Sequence, residues 1–322
     1  MNEELSDRIA AARERLDAVR AEVAQVYIGT NVAVDHMLLA LLARGHVLLE
    51  GVPGVAKTTL AKAFADALGV TVRRIQFTPD LLPSDITGTY VLSPKDGTFS
   101  FRRGPVFAHV VLADELNRAP PKTQSALLEA MQEHQVTVEG DGYPLPTPFI
   151  VVATQNPIDL EGTYPLPEAQ IDRFLIHLSI RYPKREHEIA MLRAHEVTAV
   201  SATAVLDERA VLDMQALVRQ VHVEDDLHDY AVGLSDHTRN DPRVLLGASP
   251  RATLGLVQAS KAMAVLRGRA FVTPDDLREL ALPVLAHRLI LRDDVAGEPT
   301  AREEVVKSAL ARVSYRKAVR PV

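Results

Sequence analysis

Cysteine and tryptophan are absent from this 322-residue chain, and aromatic residues of all kinds make up only 5% of it. The first absence excludes disulfides, thiolate metal sites and a cysteine nucleophile together, and it suits a reducing compartment. The scarcity of aromatics, set against 47% apolar residues, favours an Ala/Leu/Val-rich helical or α/β protein over an aromatic-cored β-sandwich. An excess of positive charge is also lacking. Lys and Arg number 36 against 42 Asp and Glu, a net charge of −6, so nothing draws the whole molecule to nucleic acid or to an anionic membrane. No uninterrupted apolar run reaches the roughly 18 residues of a membrane span. The start, Met1-Asn2-Glu3-Glu4-Leu5-Ser6-Asp7, has neither the basic flank nor the apolar core of a signal peptide. These features predict a soluble, cytoplasmic protein with no membrane insertion. The zinc signature His-Glu-x-x-His is missing as well, because His187-Glu188 is followed at the required spacing by Met191.

What the chain does carry is an apolar strand running into a phosphate-binding loop. Val47-Leu48-Leu49-Glu50 delivers the chain to Gly51-Val52-Pro53-Gly54-Val55-Ala56-Lys57-Thr58-Thr59. Small residues in such a turn let successive backbone N–H groups close around a polyphosphate, and the helix N-terminus behind them adds partial positive charge. Lys57 supplies a full charge for the outer phosphates, and the Thr58 hydroxyl suits Mg²⁺. The usual pattern has Gly immediately before the Lys; Ala56 adds only a methyl, which touches backbone freedom rather than chemistry.

The rest of the chain reads as two regions preceded by a helix. Leu5, Ile9, Ala12, Leu16, Val19, Val23 and Val26 alternate spacings of four and three, one apolar stripe on a helix; packing on the chain's own core is the favoured reading, and a coiled coil, marginal at three heptads, is the alternative. Strands are expected at 46–50, 71–76, 107–113, 149–154 and 174–179, with helices at about 33–43, 57–68 and 123–134. Strands alternating with helices imply a parallel sheet covered on both faces. Segment 77–105 is broken by Pro79, Pro83, Gly88, Pro94, Gly97, Gly104 and Pro105 and reads as an insertion. Segment 135–149 alternates apolar and polar residues around Gly140-Asp141-Gly142, a hairpin signal. Beyond Pro183 the pattern is helical throughout, at about 184–197, 207–221, 224–240, 250–267, 274–288 and 300–312. The expected division is therefore 1–25 as an N-terminal amphipathic helix, 26–183 as a nucleotide-binding core and 184–322 as a helical lid.

Ligands of a parallel sheet sit at the carboxyl ends of its strands. His109-Val110-Val111-Leu112-Ala113-Asp114-Glu115 is a buried-strand run ending in two carboxylates there. Asp114 is expected to hold Mg²⁺ through its water shell and Glu115 to polarise the attacking water. The strand Phe149–Thr154 ends in Gln155-Asn156-Pro157, where Asn156 offers an amide to orient that water, or simply a turn before proline. Arg173, immediately before a strand, is either a surface residue paired with Asp172 or a group that projects to a neighbouring subunit's nucleotide. Asn117 and Arg118 have either a subunit-contact or phosphate-sensing role or form an ordinary helix-start salt bridge.

In this order these motifs resemble an AAA+ ATPase: a P-loop αβα domain with a parallel five-stranded sheet, followed by an all-helical lid. Three longer strings narrow the resemblance to the MoxR family. They are Phe77-Thr78-Pro79-Asp80-Leu81-Leu82-Pro83-Ser84-Asp85-Ile86-Thr87-Gly88, the run from Asp114-Glu115-Leu116-Asn117-Arg118 through Met131, and Thr154-Gln155-Asn156-Pro157. The resemblance spans about residues 26 to 290. It implies Lys57 and Thr58 as Walker A residues, Asp114 and Glu115 as the Walker B pair, Asn156 as the first sensor and Arg173 as the arginine finger. It further implies Arg251, in Gly247-Ala248-Ser249-Pro250-Arg251, as the second sensor reaching a γ-phosphate, and Val26, Ile28 and Gly29 as the adenine contact. ATP and Mg²⁺ are the implied ligands. The implied partners are copies of the chain in a homo-oligomer, a hexameric ring, together with a client protein and a partner carrying a von Willebrand factor A domain. Alternatives left open are a chelatase-like or nucleic-acid motor subunit and an ATP-gated scaffold with little turnover; charge and composition make nucleic acid the less favoured partner.

Overall fold

The computed structural model describes residues 3–29, 31–51, 57–95, 97–156, 163–180, 182, 185–195, 201–293, 295, 297–298 and 300–315. The turn of the phosphate loop, Val52 to Ala56, and the expected boundary at Pro183 lie outside them.

Helix α1 (Glu3–Val26) turns the predicted stripe inward: Ile9, Ala12, Leu16, Val19 and Val23 are buried, and Leu5 and Val26 at its ends are partly buried against the same core. It lies against α3 (Lys57–Ala67) and α2 (Asn31–Leu42), so it is part of the body and not a free coiled-coil arm. Strand β1 (Val47–Gly51) leads to α3, and β2 (Val72–Gln76) follows. The segment 77–105 folds as the short α4 (Pro83–Thr87) and an antiparallel hairpin of β3 (Gly88–Leu92) with β4 (Phe99–Arg103). Next come β5 (Val110–Asp114), α5 (Pro121–Glu133), a second hairpin of β6 (Gln135–Val138) with β7 (Asp141–Pro144), β8 (Ile150–Gln155), the single turn α6 (Glu168–Ile171) and β9 (Ile176–Ile180). Five strands make one parallel sheet in the order β2-β5-β8-β1-β9. Strands β5 and β8 lie centrally and are apolar along almost their whole length, as strands covered on both faces must be.

The carboxyl-terminal region is helical, with α7 (Arg185–His195), α8 (Glu208–Gln220), α9 (Asp225–Arg239), α10 (Pro250–Leu266), α11 (Pro274–Leu285) and α12 (Ala301–Arg312). A small antiparallel pair, β10 (Val244–Leu246) with β11 (Ile290–Leu291), was too short to leave a period in the sequence. The expected helix at 274–288 divides: α11 stops at Leu285 and a 3₁₀ turn, Ala286–Arg288, takes over. One continuous apolar cluster joins α1, α2 and α3, one face of the sheet and helices α8 to α12. A second cluster fills the other face beneath α5. The Gln215 amide donates to the Leu41 carbonyl at 2.7 Å, a buried polar tie between α8 and α2. The two inserted hairpins also fasten to each other. Phe101 stacks on Tyr143 with ring centres 4.1 Å apart, and Tyr90 shares hydrogen bonds with the Tyr143 hydroxyl at 2.6 Å and Asp141 at 2.9 Å.

Candidate functional site

Because the sheet is parallel, the carboxyl ends of β1, β2, β5 and β8 reach one edge. Gln76 pairs in register with Asp114, and Glu50 with Gln155. Lys57 opens α3 at this edge, and its ammonium donates to the Gly51 carbonyl at 2.9 Å. Partial burial lowers its pKa, and the nearby Asp114 and Glu115 carboxylates oppose that effect. Thr58 and Thr59 follow on the exposed side of the first turn.

Asp114 is held at both oxygens. Thr154 donates to Oδ1 at 2.7 Å, and Arg74 donates to Oδ2 through Nε at 3.1 Å and Nη2 at 2.7 Å. The same Thr154 hydroxyl accepts the Glu115 backbone N–H at 2.8 Å, so one side chain of β8 sets the spacing of the acidic pair. Glu115 adopts left-handed backbone angles, φ 56° and ψ 50°, a conformation costly for a residue with a side chain. That turn swings the chain out of β5 into the 3₁₀ segment Leu116–Arg118. The Glu115 carboxylate accepts from Gln76 at 3.0 Å and pairs with Arg118 at 3.0 Å, so Arg118 takes the helix-start salt bridge that was one of its two expected roles. Asn117 is buried and clasps the backbone of Asn156 in both directions, donating to its carbonyl at 3.2 Å and accepting its N–H at 3.4 Å. Asn156 itself is buried beside the acids, at the end of β8.

The oxygen donors gathered here, one carboxylate of Asp114 and the Thr58 hydroxyl, suit a hard divalent ion that keeps most of its ligands as water and phosphate. Among the described residues no cluster of three or more His, Cys, Asp or Glu side chains forms a metal cage. Thr154, Gln76 and Arg74 were not singled out in the sequence. Their signal is only that they share the strand ends of the acids, which becomes visible once the strand order is known.

Two other expected residues lie elsewhere. Strand β9 starts where β1 starts, Val47 opposite Ile176, and the Leu175 N–H donates to the His46 carbonyl at 2.9 Å. Arg173 therefore sits at the amino edge of the sheet, where its Nη1 donates to the Leu128 carbonyl at 2.8 Å and its Nε is buried without a partner. It does not pair with Asp172. That carboxylate binds Arg251, at 3.4 Å, on the first turn of α10. Arg173 and Arg251 share, with Arg44, Gly45, His46, Met131 and Gln132, a cavity of about 180 Å³. The run of β1 from His46 to Gly51 is about 16 Å at a strand's rise per residue, longer than an arginine side chain can span. Neither arginine meets Lys57 of its own chain.

Val26 ends α1, half-buried in the main core, and Ile28 and Gly29 form the link to α2. The Tyr27 ring lies over Gly29, where a Cβ would stand 2.4 Å from a ring carbon. A cavity of about 750 Å³ is a separate groove of α9 and α10 lined by Val232, Leu254 and Val257, and Lys57, Asp114 and Glu115 do not border it.

Comparison with known proteins agrees with this geometry. Residues 46–176 match the model described as the ATPase family associated with various cellular activities (AAA), and residues 236–309 match an AAA lid domain. The chaperone MoxR1 of Mycobacterium tuberculosis is 44% identical over 96% of this chain and 84% of its own. The uncharacterised YeaC of Bacillus subtilis is 45% identical over 90% of this chain and 91% of its own. A crystal structure from Cytophaga hutchinsonii, 38% identical, superposes with a TM-score of 0.91 over 98% of both chains.

Proposed function

The chain belongs to the MoxR family of AAA+ ATPases, and from that premise we propose that it hydrolyses Mg²⁺-bound ATP between the subunits of a ring and uses the cycle to remodel or activate a client protein. The observation that carries the reading is the division of the chemistry between two edges of one sheet. The carboxyl edge offers Lys57, Thr58, Asp114, Glu115 and Asn156. The amino edge offers Arg173 and Arg251, too far away to serve the same nucleotide. A ring of identical subunits supplies one edge of each kind at every interface.

In this reading the backbone of Gly51 to Ala56 and the Lys57 ammonium hold the phosphates, with Val26, Ile28 and Gly29 against the adenine. Thr58 and Asp114 would hold Mg²⁺, which would supply positive charge against the negative charge of the phosphates. Glu115 accepts the proton of the attacking water, and Asn156, steadied by Asn117, orients that water. Arg173 and Arg251 of the adjacent subunit stabilise the charge that spreads over the transferring phosphoryl group. Support for a remodelling role comes from the paired hairpins. The 88–103 hairpin carries Val91, Leu92 and Phe99 exposed toward its tip, apolar side chains suited to a client segment. A hexamer, a partner with a von Willebrand factor A domain and a cytoplasmic location belong to the same proposal. Phosphate release with Mg²⁺·ATP tests the enzyme. A pull-down with Glu115→Gln, which holds ATP without cleaving it, tests the client: capture that depends on ATP and is lost in Phe99→Ser supports the reading, and ATP-independent capture contradicts it.

A further inference from the structure

The two arginines of the amino edge come from different regions, Arg173 from the segment before β9 and Arg251 from the lid helix α10, yet they are tied together through two side chains that have no part in the proposed chemistry. Asp172 is the first. Its carboxylate receives the Ser249 hydroxyl at 3.2 Å, and Ser249 is the N-cap of α10, accepting the Ala252 N–H. The same carboxylate pairs with Arg251 Nη1 at 3.4 Å and with Arg288 Nε at 3.4 Å. Arg288 is the second. Its side chain is only 3% exposed, and its Nη2 donates to the Phe174 carbonyl at 2.7 Å. It thus grips the chain on both sides of Arg173, at residue 172 through the carboxylate and at residue 174 through the backbone.

A buried guanidinium is costly unless its geometry is good and its partners are fixed. Burial lowers the Arg288 pKa to about 10, with Asp172 pulling the other way, so it remains a cation at neutral pH. His287 beside it is held neutral by burial and by the Arg288 charge, and its Nε2 lies 3.0 Å from the Phe174 carbonyl and 3.3 Å from Arg288 Nε. Arg288 comes from the 3₁₀ turn after α11, so the lid grips the 172–174 segment from two elements at once, α10 through Ser249 and Arg251 and this turn through Arg288.

We infer that Asp172 and Arg288 are positioning residues that lock Arg173 and Arg251 into one two-armed unit, presented together to the neighbouring subunit's γ-phosphate. The inference rests on the proposed role of the two arginines in trans. Its consequence is that core and lid of one subunit approach the neighbour's nucleotide as a rigid pair, and that loosening Asp172 acts on turnover only through the arginines.

A double-mutant cycle on the full-length protein tests this, with steady-state ATPase, ATP affinity and Tm measured for each variant. Asp172→Asn should lower kcat by roughly tenfold, the scale of a small misplacement, with ATP affinity unchanged because Asp172 lies far from its own subunit's Lys57. Arg251→Ala should lower kcat as well. The double variant should be slowed by clearly less than the product of the two single effects, because the part of the Asp172 effect that acts through Arg251 is already lost. Arg288→Lys, which keeps the charge but replaces the planar fork by a single ammonium, gives a second arm of the cycle with a smaller drop and the same lack of additivity. Multiplying effects, or Asp172→Asn and Arg288→Lys at the parent rate while Arg251→Ala is slow, would overturn the positioning inference alone. Arg251→Ala at the parent rate would instead remove Arg251 from the chemistry, and the inference would fall with that reading.

Discussion

The carboxyl and amino edges of the sheet differ in kind. At the carboxyl edge the decisive groups are two acids, an amide and one lysine, fixed by neighbours on the strands and on the 3₁₀ turn after β5: Asp114 by Thr154 and Arg74, Glu115 by Gln76 and Arg118, Asn156 by Asn117, Lys57 by the Gly51 carbonyl. At the amino edge the decisive groups are arginines, fixed by contacts that cross from core to lid through Asp172 and Arg288. In the proposed reading the first edge binds a polyphosphate and moves a proton, and the second stabilises negative charge. On that proposal the chain carries two half-sites, and the difference between the edges makes oligomerisation a chemical requirement of the account.

The sharpest way to break that comparison is at the amino edge. Arg173→Ala should lower turnover by about 10³–10⁵, the effect of an arginine finger, with ATP affinity retained; an exposed salt bridge is worth only about 0–1 kcal/mol. A small loss in steady-state phosphate release would return Arg173 to a structural role. At the carboxyl edge Glu115→Gln removes the base and keeps the shape, so turnover should fall by roughly 10²–10⁴ while bound ATP persists. Single-turnover cleavage at the parent rate would require another carboxylate as base. Lys57→Ala should abolish the stabilisation that ATP confers, about 2.7 kcal/mol at a hundredfold excess over Kd, and leave the Tm of the free protein nearly unchanged. Calorimetry with and without Mg²⁺·ATP reads both.

The smallest effect concerns the link between the edges. Glu50, beside the phosphate loop, accepts a hydrogen bond from His177 at 2.9 Å, and chiefly for that reason its pKa lies below the ordinary 4.5. A carboxyl group with a depressed folded-state pKa contributes stability at neutral pH, and loses that contribution as pH falls below 4.5 and through the folded value. Glu50→Gln should therefore flatten the acid limb of the stability curve by no more than about 1 kcal/mol, and an unchanged limb in acid denaturation would assign the loss to other carboxylates.

Much of the carboxyl edge was legible in the sequence because its signals are local. An apolar run ending in Asp114-Glu115, another ending in Asn156 and the Gly51–Thr59 loop each declare a strand end, and parallel topology brings strand ends together. The stripe from Leu5 to Val26 was legible for the same reason, since helical periodicity identifies a buried face without knowledge of what covers it. The amino edge was not. Arg173 and Arg251 were recognisable as family positions, but their shared cavity and the tie of Arg251 to Asp172, 79 positions away, are contacts that no spacing or periodicity encodes. Pairing of Asp172 with its chain neighbour Arg173 was one of two readings of that arginine, whereas the folded protein turns Asp172 to the lid, because Ser249 and Arg251 at the start of α10 and the buried Arg288 present donors there. Thr154 was hidden for a simpler reason: a threonine at the end of a strand is unremarkable until β5 is known to lie beside it.

The most direct test of two half-sites in one chain is complementation. Arg173→Ala and Lys57→Ala should each be nearly inactive, the first with an intact nucleotide pocket and the second with an intact arginine pair. Mixed under conditions where subunit exchange is demonstrated by differential labelling, they should recover part of the parent's phosphate release, because some interfaces then join an intact carboxyl edge to an intact amino edge. A mixture as inactive as either variant alone, with mixed assemblies present, would contradict the account.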